Sequence, residues 1–186
     1  MKPICLLLFS STALAAPDLK TVLQKLGEDA KAWEATAPCT FKEVTTVEAL
    51  DKNDEVVLQQ QKDTKGKKPA RSALHPESQP DYVFALKPGT GDSSTLTIEP
   101  IKANSERMRG EADVNAKLEM TELRLTPSKV PLLLKSLALR FTFTDTACGR
   151  QANLVEVNGQ GVAVFIDTKF HTRSLLVDHA RVVKKK

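Results

Sequence analysis

Few side chains in this sequence could carry covalent or metal chemistry. There are three cysteines and three histidines in 186 residues. Cys148 stands in "TFTDTACGR" (Thr142 to Arg150), where an alternating Phe/Thr run meets a cysteine and then a glycine. A nucleophilic thiol needs a basic neighbour that lowers its pKa, and none is evident near Cys148. A zinc site needs four ligands at short spacings. His75, His171 and His179 stand at no such spacing from Cys39 or Cys148. On one straight strand His171 and His179 would also lie too far apart to share an ion. Glu111 and Asp113 would share a strand face, as a pair of acids in a glycosidase must, but ordinary solvated carboxylates follow the same pattern. Asp167 and Lys169 read in the same bland way. No Gly-x-Ser-x-Gly elbow, His-Glu-x-x-His pair or phosphate-cradling glycine loop occurs. The sequence therefore points to no catalytic residue, no metal ligand and no cofactor, and to binding rather than catalysis.

What the cysteines do depends on the compartment. The chain begins MKPICLLLFSSTALAAPD, with Lys2 as a positive n-region, Ile4 to Phe9 as an apolar h-region and Ala13-Leu14-Ala15 as a small-residue cleavage signal. This is the pattern of a secretory signal peptide over residues 1–15. Cys5 precedes the h-region, whereas a lipoprotein cysteine follows it, so Cys5 reads as part of the discarded segment. The expected address is the periplasm or the outside. An exported compartment favours disulfides, and Cys39 and Cys148 then have one possible pairing. The bridge would close a loop of about 110 residues, worth at most roughly 4 to 5 kcal/mol in the chain-entropy model. Two separate buried thiols are the alternative.

Residues 16–186 are expected to form one domain with a sizeable core. The net charge is +4, and much of the excess sits in "KDTKGKKPAR" (Lys62 to Arg71) and the terminal Lys184 to Lys186. Such patches suit nucleic acid or anionic headgroups, or are simply a solvated loop and a chain end. The first lacks the interleaved aromatics used for single-stranded nucleic acid, so no nucleic-acid partner is expected.

Leu19, Val22, Leu23, Leu26, Ala30 and Trp33 recur at helical spacing, and Pro17 and Asp18 suit a helix start. From Cys39 the period becomes two, with a hairpin expected around Leu50 to Glu55. Residues 65–80 read as a mobile loop. Strands are expected at "YVFALK", "STLTIEP", "ERMRGEADV" and "KLEMTELRL", the last with a bulge because Leu118 and Met120 are out of phase with Leu123 and Leu125. "LALRFTFT" is the clearest strand: Leu137, Leu139, Phe141 and Phe143 share one face. A turn is expected at Asn158 to Gly161, with strands on either side. "TPSKVPLLLKS" (Thr126 to Ser136) reads as a plug for one end of the sheet, with Ser128 capping a helical turn near Pro131. The fold class is α+β: an N-terminal helix covering about nine or ten antiparallel strands, which must curl or close.

That order resembles the LolA/LolB/RseB family of periplasmic lipoprotein-binding proteins, exported proteins of the outer membrane lipoprotein-sorting kind. "VEALDKNDEV" (Val47 to Val56) looks like their early hairpin, with Asn53-Asp54 where Asp-Gly is common. "DYVFALKP" (Asp81 to Pro88) looks like the strand ending in Leu-x-Pro. "RMRGEADVNAKLEMTELRLTPSKVP" (Arg107 to Pro131) looks like the central hairpin. The likeness covers about two-thirds of the chain. It implies a strongly curved half-barrel whose apolar cavity, between helix and sheet, holds lipid or lipoprotein acyl chains. A lipocalin would place Gly-x-Trp at its first strand, and Trp33 precedes every strand. An outer-membrane barrel would show aromatic girdles, yet aromatics are 5% of the chain.

Trp33, Leu137, Leu139, Phe141 and Phe143 are thus the candidate cavity-lining residues, and Cys39 with Cys148 the candidate disulfide. The expected function is an exported carrier of lipid or acylated protein. The alternative is a sensor or protein-interaction module of the same fold with a packed core, its partner another protein of the cell envelope.

Overall fold

The computed structural model describes residues 17–35, 39–50, 56–65, 72–89, 91–163 and 166–181, with the backbone alone described at 33–35, 39–40, 56–65, 162–163, 166–168 and 180–181. The segment expected to be a signal peptide, the hairpin turn expected around Leu50 to Glu55 (residues 51–55) and Lys184 to Lys186 lie outside the described residues.

Helix α1 (Leu19–Ala35) begins where the spacing predicts. Asp18 is its cap: the backbone N–H of Thr21 donates to Asp18 Oδ1 at 3.0 Å, and the Thr21 hydroxyl donates to Oδ2 at 2.6 Å, satisfying a donor that the first turn leaves open. These bonds hold the Asp18 carboxyl below its usual pKa, the hydroxyl first. The strands that follow are β1 (Cys39–Leu50), β2 (Val56–Lys65), β3 (Tyr82–Pro88), β4 (Ser94–Pro100), β5 (Met108–Val114), β6 (Met120–Pro127), β7 (Leu134–Thr146), β8 (Gly149–Ala163) and β9 (Ile166–Arg181). They form one open antiparallel sheet in the order β2-β1-β9-β8-β7-β6-β5-β4-β3, with β2 and β3 as its edges.

The sheet has two unequal halves. Strands β3 to β6 are seven or eight residues long, whereas β7, β8, β9 and β1 run to 13, 15, 16 and 12. The helix serves the short half. Val22 and Leu26 pack on Leu96, Ile98, Ala112, Val114 and Leu123, all buried. Leu74 completes this cluster from the segment between β2 and β3. That segment, expected to be mobile over 65–80, is folded against α1 from residue 72 onward: Leu74 and His75 are buried, and the Gln79 amide donates to the carbonyls of Leu23 and Leu74 at 3.2 and 2.9 Å. Residues 66–71 of it lie outside those described.

The bulge foreseen in the second strand of the central hairpin is present. Asp113 pairs with Glu122 but Val114 pairs with Met120, so Thr121 is the extra residue. Two expectations are corrected. The turn at Asn158 to Gly161 does not exist, because β8 runs straight through it. Asn158 lies opposite Ala138 and His171, and Gly159 opposite Leu137 and Phe170. Local turn chemistry yields here to pairing on both sides. The glycine has its own reason: a Cβ on Gly159 would strike the Phe170 ring, which covers it. The segment at Thr126 to Ser136 is no plug either. Leu132 is 100% exposed and Leu133 71%. Ser128 caps no helix; its hydroxyl donates to the Asn104 carbonyl at 2.8 Å and ties this connection to the β4–β5 loop.

Candidate functional site

Antiparallel pairs directly opposite each other share a sheet face, so the register traces the inner face from the helix-covered half outward. Leu123 lies opposite Phe141, and Leu125 opposite Leu139. Leu137, Leu139 and Phe141 lie opposite Gly159, Val157 and Val155. Those three face Phe170, Thr172 and Ser174 on β9, which in turn face Ala49, Val47 and Thr45 on β1. The inner face is thus continuous across the sheet. It becomes polar toward one end, where the Thr45 and Ser174 hydroxyls meet at 2.8 Å and Thr45 donates to Glu43 Oε1 at 3.2 Å.

Of the candidate lining residues, Phe141 and Phe143 pack against the core beneath α1. Leu137 and Leu139 are half-buried and stand outside that cluster. The Trp33 side chain lies outside those described. The four described candidates are therefore divided between a packed zone and a second zone beyond it. In the first, Val22, Leu96, Ala112 and Val114 have no exposure at all, so the helix sits on side chains and not over a cavity. The second zone is the patch of Leu137, Leu139, Val155, Val157, Phe170 and Val47.

Dimensions explain the division. A helix of 17 residues is about 25 Å long and about 10 Å wide, enough for two or three strand spacings of about 4.8 Å. Nine strands extend about 38 Å across. Helix α1 cannot cover both halves. An open groove of about 470 Å³ is lined by Leu19, Lys20, Leu23 and Gln24 of α1 and by Gln79, and no residue of the second zone lines it.

The outer face is organised by charge. Arg124 on β6 lies opposite Glu111 on β5 and Arg140 on β7; Arg140 lies opposite Glu156 on β8, and Glu156 opposite Arg173 on β9. Two arginines directly opposite would repel, and Glu122 between them removes the conflict. It accepts from Arg124 Nη1 at 2.7 Å and from Arg140 Nη2 at 2.7 Å. Arg124 also grips Asp113 with both terminal nitrogens, at 2.6 and 3.1 Å, and the Thr95 hydroxyl donates to the same carboxylate at 2.8 Å. These bonds hold Asp113 below the usual carboxylate range, the Arg124 hydrogen bond foremost. Glu122 is lowered first by Arg140 and then by Arg124, and Arg124 is raised by its bonds to Asp113 and Glu122. Glu111 and Asp113, sharing a face as expected, are members of this brace and are not placed as a catalytic pair.

The histidines are not brought together. His75 is buried beside α1, His171 Nδ1 meets Asn158 Oδ1 at 2.5 Å, and His179 Nε2 meets the Leu176 carbonyl at 3.1 Å with its ring 5.5 Å from Phe41. Among the described residues no cluster of His, Cys, Asp or Glu could hold a metal ion. Cys148 is buried in the β7–β8 hairpin turn, where its N–H donates to Thr146 Oγ1 at 3.1 Å. Among the described residues no helix is long and apolar enough to cross a membrane.

Val47, Val155, Val157 and Phe170 are not among the lining residues expected from the sequence. Their alternation is visible, but which strands lie beside one another, and so which of these side chains share a face with Leu137 and Leu139, is set by the register.

No family model matches this chain, and no curated protein matches it.

Proposed function

We propose that the protein is an exported binding protein that holds lipid or lipoprotein acyl chains against the second zone of its inner face. One observation carries this reading: the apolar face continues through Leu137, Leu139, Val157 and Phe170 beyond the core that α1 seals. An acyl chain laid there would gain about 0.8 kcal/mol per buried CH₂. In this reading the sheet curls into a strongly curved half-barrel of the LolA kind, as the accumulated twist of long strands favours. Residues 1–15 are removed on export to the periplasm or the outside, and residues 16–186 act as one non-enzymatic domain. A Cys39–Cys148 bridge belongs to the same reading. Cys148 stands as a half-cystine. The register supports Cys39 as its partner: Val44 and Leu154 both face Leu175, so Cys39 and Cys148 stand five and six residues from one row, toward the same end of the sheet.

The test is native mass spectrometry of the protein purified from its own envelope without detergent. A bound species with the mass of a phospholipid or acylated peptide supports the carrier. A clean apo mass that persists with added lipid overturns it and favours the second reading, a module of the same fold that binds a protein partner. That second reading draws on the zero exposure of Val22, Leu96 and Val114, which leaves no space beneath the helix.

A further inference from the structure

Among the described residues, the two most exposed large apolar side chains, Leu132 and Leu133, stand at one end of the sheet, whereas Val83, 60% exposed, lies on edge strand β3. Ile101 is 60% exposed in the β4–β5 loop, and Val130, Leu132 and Leu133 are 42%, 100% and 71% exposed in the β6–β7 connection. The two segments are built as one tip. The Ser128 N–H donates to the Arg107 carbonyl at 2.8 Å and the Lys129 N–H to the Asn104 carbonyl at 3.2 Å. The Asn104 N–H donates to Ser128 Oγ at 3.0 Å, while Asn104 Oδ1 accepts from the N–H groups of Glu106 and Arg107 at 3.0 and 2.7 Å. The Leu134 N–H closes a turn onto the Pro131 carbonyl at 2.9 Å, and the rings of Pro127 and Pro131 restrict the backbone further. The leucines are therefore presented to water by an ordered turn, which is where an apolar patch marks an interaction surface.

The flanking charge selects the partner. Exposed Lys129 and Lys135 stand on either side of Leu132 and Leu133, and exposed Lys102 follows Ile101. Glu106 is the one acid within residues 101–107 and 128–133, and Arg107 is paired with Asp81 at 2.8 Å. Protein-binding patches are depleted in lysine and enriched in aromatics; the tip has three lysines and no aromatic side chain. Apolar apex residues ringed by lysines match the boundary of an anionic bilayer, where leucines enter the acyl region and ammonium groups remain at the phosphates.

We propose that this tip docks the protein on anionic lipid surfaces by inserting Leu132 and Leu133. The proposal does not depend on cargo in the inner face. It is tested by cosedimentation of the purified protein with vesicles of phosphatidylcholine and phosphatidylglycerol (about 70:30), and with phosphatidylcholine alone. Withdrawing one leucine from the acyl boundary lowers partitioning about tenfold. Leu132→Glu should bind at least that much more weakly than wild type, and Leu132→Ala combined with Leu133→Ala weaker by up to about a hundredfold. Comparison with wild type isolates the tip from any contribution of residues 4–9. Both variants should unfold at the wild-type temperature, since neither side chain is in the core. Neutral vesicles and high salt should each weaken wild-type binding several-fold. The inference is overturned if wild type fails to bind anionic vesicles, if both variants bind as wild type does, or if neutral vesicles bind equally well. A variant that loses docking but keeps acyl cargo in native mass spectrometry separates the tip from the carrier reading.

Discussion

Replacing Leu96 by alanine distinguishes a packed floor beneath the helix from a cavity. Leu96 lies between Leu86 on β3 and Ala112 on β5, is 0% exposed and belongs to the cluster that holds Val22 and Leu26. The substitution removes three carbon atoms, worth about 2.4 kcal/mol in transfer terms. Val22 above it and the strands beside it relax only partly, so a cavity term is added, and the expected loss is about 3 to 4 kcal/mol. Leu139→Ala is the internal control. It removes the same atoms on the same face, but Leu139 is half-buried and stands outside the cluster. About half the transfer term and little cavity term leave a loss of about 1 to 1.5 kcal/mol. The assay is urea unfolding at pH 7 followed by far-UV circular dichroism, accepted where the slope matches wild type. A separation of about 2 kcal/mol between the two variants is expected. If Leu96→Ala costs no more than Leu139→Ala, the space beneath α1 is not packed and the division of the inner face into two zones is wrong. Position 139 also tests function. On the carrier reading, Leu139→Asn should strip acyl cargo while leaving most of the stability in place.

Glu122→Gln keeps the shape of the side chain but leaves Arg124 and Arg140 opposed, and should cost about 1 kcal/mol and more at low salt. Removing the exposed Lys25–Asp29 pair of α1 should cost under about 0.5 kcal/mol, and equal losses in the two experiments would remove the case for a brace. Because their arginine partners hold the Asp113 and Glu122 carboxyls below the ordinary carboxylate range, their contribution is complete above that range and disappears as pH falls through the lower folded values. Urea midpoints should therefore be flat from about pH 7 to 5 and fall below about pH 4, with a shallower fall in Arg124→Gln; parallel acid limbs for variant and wild type would contradict the assignment. Gly159→Val should expel the Phe170 ring from its place over the glycine and cost about 2 kcal/mol or more by overpacking, measured as a drop in unfolding temperature. Thiol titration of the unreduced, denatured mature protein should find no free thiol, and reduction should lower the urea midpoint; two titratable thiols would refute the proposed Cys39–Cys148 bridge.

Much of the fold was legible in single segments because their hydrophobic period is strong. Leu19, Val22, Leu23 and Leu26 admit a helix and little else, and Asp18 marks its start. Leu137, Leu139 and Phe141 alternate cleanly enough to assign a strand and its inward face. The Thr121 bulge was readable as a change of phase between Met120 and Leu123. Where the sequence misled, local chemistry competed with long-range pairing. Asn158 and Gly159 resemble a turn, but β7 and β9 hold them as strand from both sides. Pro127, Pro131 and three leucines resemble a plug, yet hydrogen bonds from Ser128 and Lys129 to the neighbouring loop turn the leucines outward.

The sequence by itself determined the type of most elements, the inward face of the strongly periodic ones and the poverty of catalytic groups. These depend on periodicity and composition, which are local properties. Only the tertiary structure decided that α1 seals the short half of the sheet, leaving Leu137 and Leu139 outside the packed core. It alone aligned Asp113, Arg124, Glu122, Arg140, Glu156 and Arg173 into a brace across five strands, and gathered Ile101 with Leu132 at one tip. Those arrangements depend on register between residues far apart in the chain, and a shift of one residue would turn each of these side chains to the opposite face.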